Sequence, residues 1–350
     1  MSYPPVEIPL GAMRFNSDSQ KLEYFDGLNW LQVNYKPMLS SPIAGRGLMF
    51  SGYIAPVSVN VIDYVTIATA GNAVDFGDTD RLADWGSGYG NETRAIYAGG
   101  QGAPSNTISY VTIATQGNAI DFGDLITGNT SFNCGFAGDS VRGVLGGGLA
   151  PTETDTIQYV TMSSLGNAAD FGNLTQARQY GQAVTSPTRG CYGGGNGPAP
   201  AQYDIIDYVT IQSAGNAVDF GNLANARRIG SACSNSVRGV WSGEYSTASP
   251  YPMTAYMQYV NIASTGNSEE FGEAVIPTTA GPGMQCDSTR GLIVHGYAGT
   301  PSGPYGPAGY TKMISYINFA TRGSTTEFGD RTTPGVGGAC QASNTHGGIQ

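Results

Sequence analysis

Charge is scarce in this chain, at 12% of 350 residues, and only two histidines are present, His295 and His346. The 16 basic residues are scattered, with Arg227-Arg228 adjacent, against 26 acidic ones, a net charge of −10. No basic stripe exists that could neutralise a phosphate backbone, so nucleic acid is not an expected partner. No apolar run approaches the length of a membrane span, and Met1-Ser2-Tyr3-Pro4-Pro5 has neither the basic nor the apolar region of a secretory signal. Neither membrane insertion nor export is expected. The five cysteines are few, and four of them (Cys134, Cys233, Cys286, Cys340) occupy similar places in successive repeats, with Cys191 elsewhere. Residues equivalent by repeat lie in different structural units, so these are read as small buried side chains, not as disulfide partners or zinc ligands.

Backbone breakers are abundant, with 52 Gly and 19 Pro beside 21 Tyr. That composition disfavours helices and favours short strands joined by many turns.

Self-similarity organises the rest. A tyrosine recurs as Tyr64, Tyr110, Tyr159, Tyr208, Tyr259 and Tyr316, each followed 12 residues later by a phenylalanine: Phe76, Phe122, Phe171, Phe220, Phe271 and Phe328. Between them lies Gly71-Asn72 or its equivalent, as far as Gly266-Asn267, with Gly323-Ser324 in the last copy. A β-branched run, a Gly-Asn turn and a second strand are the expected hairpin. A second hairpin is marked by an arginine opening a short apolar strand: Arg46, Arg94, Arg142, Arg189, Arg238 and Arg290. Phenylalanine to the next arginine is 18 to 20 residues, whereas arginine to tyrosine runs from 16 to 26. Length variation is therefore confined to one connection.

Each unit of roughly fifty residues thus predicts four antiparallel strands. Such units bury their faces only against neighbours, which a radial propeller provides; a solenoid would need polar caps, and none is evident. Gly337-Gly338-Ala339-Cys340-Gln341-Ala342-Ser343 matches Gly230 to Ser236 and is expected to complete the first unit. The first 35 residues fall outside the repeat and read as three short strands, with turns at Asn16 to Ser19 and Asp26-Gly27. The expectation is an all-β chain: an N-terminal module over residues 1–35 and a six-bladed propeller over 36–350.

Each copy also carries one acid before its phenylalanine: Asp75, Asp121, Asp170, Asp219, Glu270 and Glu327. One acid and one arginine in fixed places predict a pairing that ties the hairpins together and fixes register. The Asp-Phe-Gly triplet is a repeat motif here, because no catalytic loop accompanies it. Glycine runs such as Gly146-Gly147-Gly148 are followed by no Lys-Ser or Lys-Thr and mark strand ends or tight backbone approach. Without convergent carboxylates or metal ligands, neither catalysis nor a metal or cofactor is expected.

The residues resemble the kelch repeat, in the Arg before the first strand (Ala177-Arg178, Ala226-Arg227), the glycine pair after the second (Gly99-Gly100, Gly147-Gly148, Gly194-Gly195) and the aromatic pair that follows. Three copies depart from it with Ser51-Gly52, Ser242-Gly243 and His295-Gly296. The segment from Gly11 to Val33, with Arg14-Phe15-Asn16, Glu23-Tyr24-Phe25-Asp26-Gly27 and Trp30, is similar to a module near the N-termini of phage tail fibre proteins. Together they resemble virion proteins of phages infecting cyanobacteria. The resemblance implies a virion or tail fibre protein, present in several copies, whose N-terminus attaches to other virion proteins through Phe15, Tyr24 and Trp30. The alternative is a cellular kelch-type adaptor that binds a peptide.

Strand direction places the turns after strands one and three on one uniform face, and the variable connections after strands two and four on the other. The longest of these hold Tyr245, Tyr251, Tyr256, Tyr297, Tyr305 and Tyr310. Tyrosine offers rigid amphipathic area at low entropic cost, so these are the candidate recognition residues for a host-surface glycan or protein.

Overall fold

A computed structural model of the chain describes residues 8–17, 21–32, 45–54, 56–102, 104–126, 132–198, 201–245, 253–277, 285–296, 311–333 and 338–349. These residues form strands and no helix. The chain divides into two compact units, Met1–Ile43 and Ala44–Gln350.

The N-terminal unit is an antiparallel sheet of β1 (Met13–Asn16), β2 (Lys21–Phe25) and β3 (Trp30–Gln32). Asp26 closes the second turn by accepting from the amides of Leu28 (2.8 Å) and Asn29 (2.6 Å), which holds its carboxyl below the usual range. Pairing of Met13 with Tyr24, Phe15 with Leu22 and Tyr24 with Leu31 puts five apolar side chains on one face, all exposed. On the other face Glu23 accepts from Asn16 and Arg14, both at 2.9 Å, and these bonds lower its pKa.

The large unit contains six four-stranded antiparallel sheets among the described residues. The first holds β4 (Arg46–Ile54), β5 (Val57–Thr66) and β6 (Val74–Asp78). The second is β7 (Ser87–Gly90), β8 (Arg94–Ala98), β9 (Thr107–Thr112) and β10 (Ile120–Asp124). The third is β11 (Phe136–Gly138), β12 (Arg142–Leu149), β13 (Glu153–Thr161) and β14 (Ala169–Asn173). The fourth is β15 (Gln182–Thr185), β16 (Arg189–Gly193), β17 (Ile205–Thr210) and β18 (Val218–Asn222). The fifth is β19 (Arg228–Ser234), β20 (Arg238–Tyr245), β21 (Met253–Asn261) and β22 (Glu269–Glu273). The sixth is β23 (Gln285–Cys286), β24 (Arg290–Val294), β25 (Met313–Asn318) and β26 (Thr326–Asp330). Finally β27 (Cys340–Ser343) pairs with β4, so the first sheet takes its first strand from the far end of the sequence. The architecture is propeller-like.

The repeat landmarks act as one stack. The repeat arginine lies over the tyrosine of its own sheet, from 4.8 Å (Arg46 over Tyr64) to 5.2 Å (Arg238 over Tyr259). That tyrosine meets its phenylalanine edge to face, as in Tyr64–Phe76 at 5.9 Å. The phenylalanine is the extra residue of a β-bulge: Ile62 pairs with Gly77 and Asp63 with Asp75, skipping Phe76. The bulge turns the ring into the space between sheets, where Phe76 is 2% exposed. The glycine that follows sits at φ +148, and a Cβ there would strike the Gly117 carbonyl of the next sheet. Bulge and close approach together account for the triplet.

Two expectations are corrected. The tight turn between third and fourth strands is formed at Thr66 to Thr69 and its equivalents, not at Gly-Asn. Gly-Asn instead straps one sheet to the previous one: Gly117 donates to Phe76 (2.9 Å), Gly166 to Phe122 (2.9 Å), Gly215 to Phe171 (2.7 Å), and Gly266 to Phe220, Gly323 to Phe271 and Gly71 to Phe328 (2.8 Å each). The series passes from the sixth sheet back to the first.

Nor do the repeat arginines pair with the repeat acids. Asp75, Asp121, Asp170, Asp219, Glu270 and Glu327 are all exposed. The arginines donate to turn carbonyls of the following sheet: Arg46 to Ile113 (2.7 Å), Arg94 to Met162 (2.8 Å), Arg142 to Gln212 (3.0 Å), Arg189 to Ala263 (2.8 Å), Arg238 to Phe319 (2.5 Å) and Arg290 to Ala68 (2.8 Å). Carbonyls at a turn are under-satisfied and need no particular side chain, which is why an arginine suits them. Six apolar clusters fill the spaces between successive sheets; one joins Met49, Val65 and Ile67 of the first sheet to Leu292, Ile314 and Phe328 of the sixth.

Candidate functional site

The two faces of the large unit are built differently. On the uniform face, the residue three before each repeat arginine caps the turn: Asn91, Asp139, Asn235 and Asp287 accept from the amides of Arg94 (2.9 Å), Arg142 (2.8 Å), Arg238 (2.7 Å) and Arg290 (2.7 Å). Ser186 does the same for Arg189 at 3.1 Å. For Arg46 the acceptor is Asn344, at 2.8 Å, supplied by the C-terminal segment. That segment crosses the inner strands, with Thr345 bonded to Cys286 O (2.9 Å), His346 to Gly90 O (2.6 Å) and Gly347 to Ser234 O (2.8 Å). Burial pushes the His346 pKa down to about 4. His295, also buried and pushed down to about 4, bonds Ser315 at 2.7 Å.

A buried polar residue precedes each repeat tyrosine, and in five sheets it holds the connection entering its sheet, while Ser315 of the sixth bonds His295. Asp207 binds Thr175 Oγ1 (2.6 Å) and Arg178 (2.8 Å), with both partners of the ion pair fully buried. Asp63 binds Arg331 (3.1 Å) and Thr332, Ser109 binds Asp80 (2.8 Å) and Arg81 (2.6 Å), and Gln158 and Gln258 accept from Ile126 and Ala224 (2.8 Å each). A polar residue inside a β-branched run in all six copies was a readable signal for this position.

On the opposite face, where variable connections leave, Tyr256 is half-buried in β21 and pairs with Glu273, and Tyr245 ends β20. Tyr251, Tyr297, Tyr305 and Tyr310 lie outside the described residues. Of the expected docking residues, Phe15 (67% exposed) and Tyr24 (40%) share the apolar face of the N-terminal sheet. Trp30 is on the other face, half-buried, with Arg14 above its ring at 4.2 Å.

The variable-connection face of the large unit holds an arc of rings that sequence reading missed. Trp85, Phe132 and Tyr180 each stand just before the first strand of their sheet, with φ of 58, 57 and 57 degrees. Bulky residues in the left-handed region cost on the order of 1–3 kcal/mol each and persist only where the surroundings enforce them. Here a backbone chain enforces them: Trp85 N–H donates to Gly338 O (3.0 Å), Phe132 to Trp85 O (3.0 Å), Tyr180 to Phe132 O (2.7 Å) and Ile229 to Tyr180 O (3.0 Å). The rings meet in succession, Trp85–Phe132 at 5.5 Å and Phe132–Tyr180 at 4.4 Å, and all three are half-buried. Arg228 closes the arc, 4.2 Å above Tyr180, and the Asn196 side-chain amide, assigned with its oxygen toward the guanidinium, accepts from it at 2.7 and 2.8 Å.

All five cysteines are buried and free. Burial raises their pKa values, to about 12 for Cys191 and Cys286, so they are inert thiols at neutral pH. Among the described residues no group of His, Cys, Asp or Glu is placed to hold a metal ion. No protein-family model matches the chain, and no curated protein matches it.

Proposed function

We propose that the six sheets close into a six-bladed propeller that works as the display head of a phage virion protein, a tail fibre or similar appendage, and carries no catalytic site. The N-terminal unit is its attachment device. The observation that carries this reading is the contrast between faces and joints. Every joint between neighbouring sheets uses the same strap, arginine bridge and apolar cluster, including the joint from sixth to first, while the connections that vary most in length leave from one face. A rigid scaffold with one variable face suits recognition, since binding residues concentrate on loops positioned by fixed elements. An uncovered apolar face on a three-stranded sheet suits docking, because so small a sheet gains stability by packing on a partner. The similarity of residues 11–33 to a tail fibre module points to other virion proteins as that partner.

The test removes residues 1–43 and follows the large unit into particles. The truncated protein is expected to keep the melting transition of the large unit and to be missing from purified virions that contain the full chain. Full-chain protein absent from virions but recovered with a cellular peptide partner would instead establish the adaptor reading.

A further inference from the structure

We propose that the arc Trp85, Phe132, Tyr180 and Arg228 is a binding site for a saccharide segment of a surface polysaccharide. It deepens the recognition reading above and rests on it for the ligand being a surface glycan; the site itself rests on geometry.

The first argument is the backbone. The left-handed slot before the first strand is occupied in the first sheet by Gly338, at φ 68 degrees, the residue that adopts it without steric cost. Three other sheets place a large ring there instead. Folding alone favours glycine at such a slot, so the rings are held for what they present.

The second argument is what the arc offers. Its backbone amides and carbonyls are used up in the chain from Gly338 to Ile229, so no open strand edge remains for an extended peptide to join. What is left exposed is side-chain surface: half-buried aromatic rings tilted against each other, Trp85 with Phe132 by 50 degrees and Phe132 with Tyr180 by 31 degrees. Tilted rings present apolar patches at several angles, as the C–H faces of successive sugar residues require.

The third argument is depth. The inner strands abut one another, with Gly138 N–H donating to Thr185 Oγ1 (3.1 Å), Thr185 N–H to Ser234 Oγ (2.9 Å) and Cys286 N–H to Ser343 Oγ (3.2 Å). A chain cannot thread between them, but it can lie across the arc. Arg228, pinned by Asn196, keeps the Tyr180 ring in place and is a positioning residue.

The experiment prints the full chain on an array of bacterial surface polysaccharides and oligosaccharides beside a set of proline-rich peptides, and compares it with Trp85→Gly and Tyr180→Gly. Glycine retains the left-handed backbone, so both variants are expected to fold and to melt near the wild-type temperature. Saturable binding to at least one glycan is expected, weakened ten-fold or more in either variant, with Trp85 fluorescence changing on titration. Arg228→Lys should weaken it less and be partly rescued at higher glycan concentration. No glycan binding, binding by both glycine variants equal to that of the wild type, or binding to the peptides alone would overturn the proposal. Virion incorporation of the glycine variants should be normal, so failure here is distinct from failure of the attachment reading.

Discussion

His346 donates from Nε2 to the carbonyl oxygen of Gly90 at 2.6 Å, across 256 residues of sequence, while its Nδ1 accepts from the amide of Gly348 at 3.2 Å. A carbonyl can only accept and an amide can only donate, so the imidazole is the neutral Nε2–H tautomer. Protonation at Nδ1 would set two donors against each other at the point where the C-terminal segment is anchored.

Acid should therefore destabilise the large unit through its histidines. Both histidines have folded pKa values pushed down to about 4, below the usual 6.5. Between those limits the unfolded chain binds protons that the native state does not, so stability is full above about pH 6.5 and falls as pH drops toward 4. Each histidine contributes on the order of 3 kcal/mol to that loss. Urea melts from pH 7 to pH 4 check it; His346→Gln should flatten the dependence, and an unchanged slope would contradict the buried neutral ring.

Deleting residues 334–350 should leave β4 with an unpaired edge. The segment it loses contributes Cys340 and Ala342 of β27 to an apolar cluster and supplies the Asn344 cap of Arg46. The expected cost is on the order of 5 kcal/mol or more, with aggregation through the open edge. A monomeric truncation with unchanged melting would show that the first sheet does not depend on β27.

Arg142→Lys should cost about 1–2 kcal/mol, because an ammonium cannot both stack on Tyr159 and reach the carbonyls of Ile211 and Gln212. Asp121→Asn, an exposed acid without an arginine partner among the described residues, should stay within about 0.5 kcal/mol. Equal losses in thermal melts would restore the acid–arginine pairing.

Asp207→Asn should be far more damaging, at about 3–5 kcal/mol, since it leaves the fully buried Arg178 without its counter-charge. Replacing both by apolar residues of similar volume should recover much of that loss. Chemical denaturation of the two singles and the double decides it; additive losses would mean that the charges act independently.

What the sequence by itself determined is the unit: four strands, an arginine at the start of the second, and a tyrosine and a phenylalanine 12 apart. These are legible because strands within one sheet follow each other along the chain, and cross-strand neighbours leave a fixed spacing. The partners across each joint were decided only by tertiary structure. The strap from Gly71 to Phe328 and the bridge from Arg290 to Ala68 end on backbone carbonyls, which every residue has, so no side-chain type marks the acceptor. Lacking that mark, the arginines are assigned from sequence to the nearest conspicuous acids, which in fact face water. The arc of Trp85, Phe132 and Tyr180 was hidden for a related reason: φ is a property of place, and an aromatic side chain in a left-handed slot contradicts its own preference, so only the backbone chain linking neighbouring sheets reveals it.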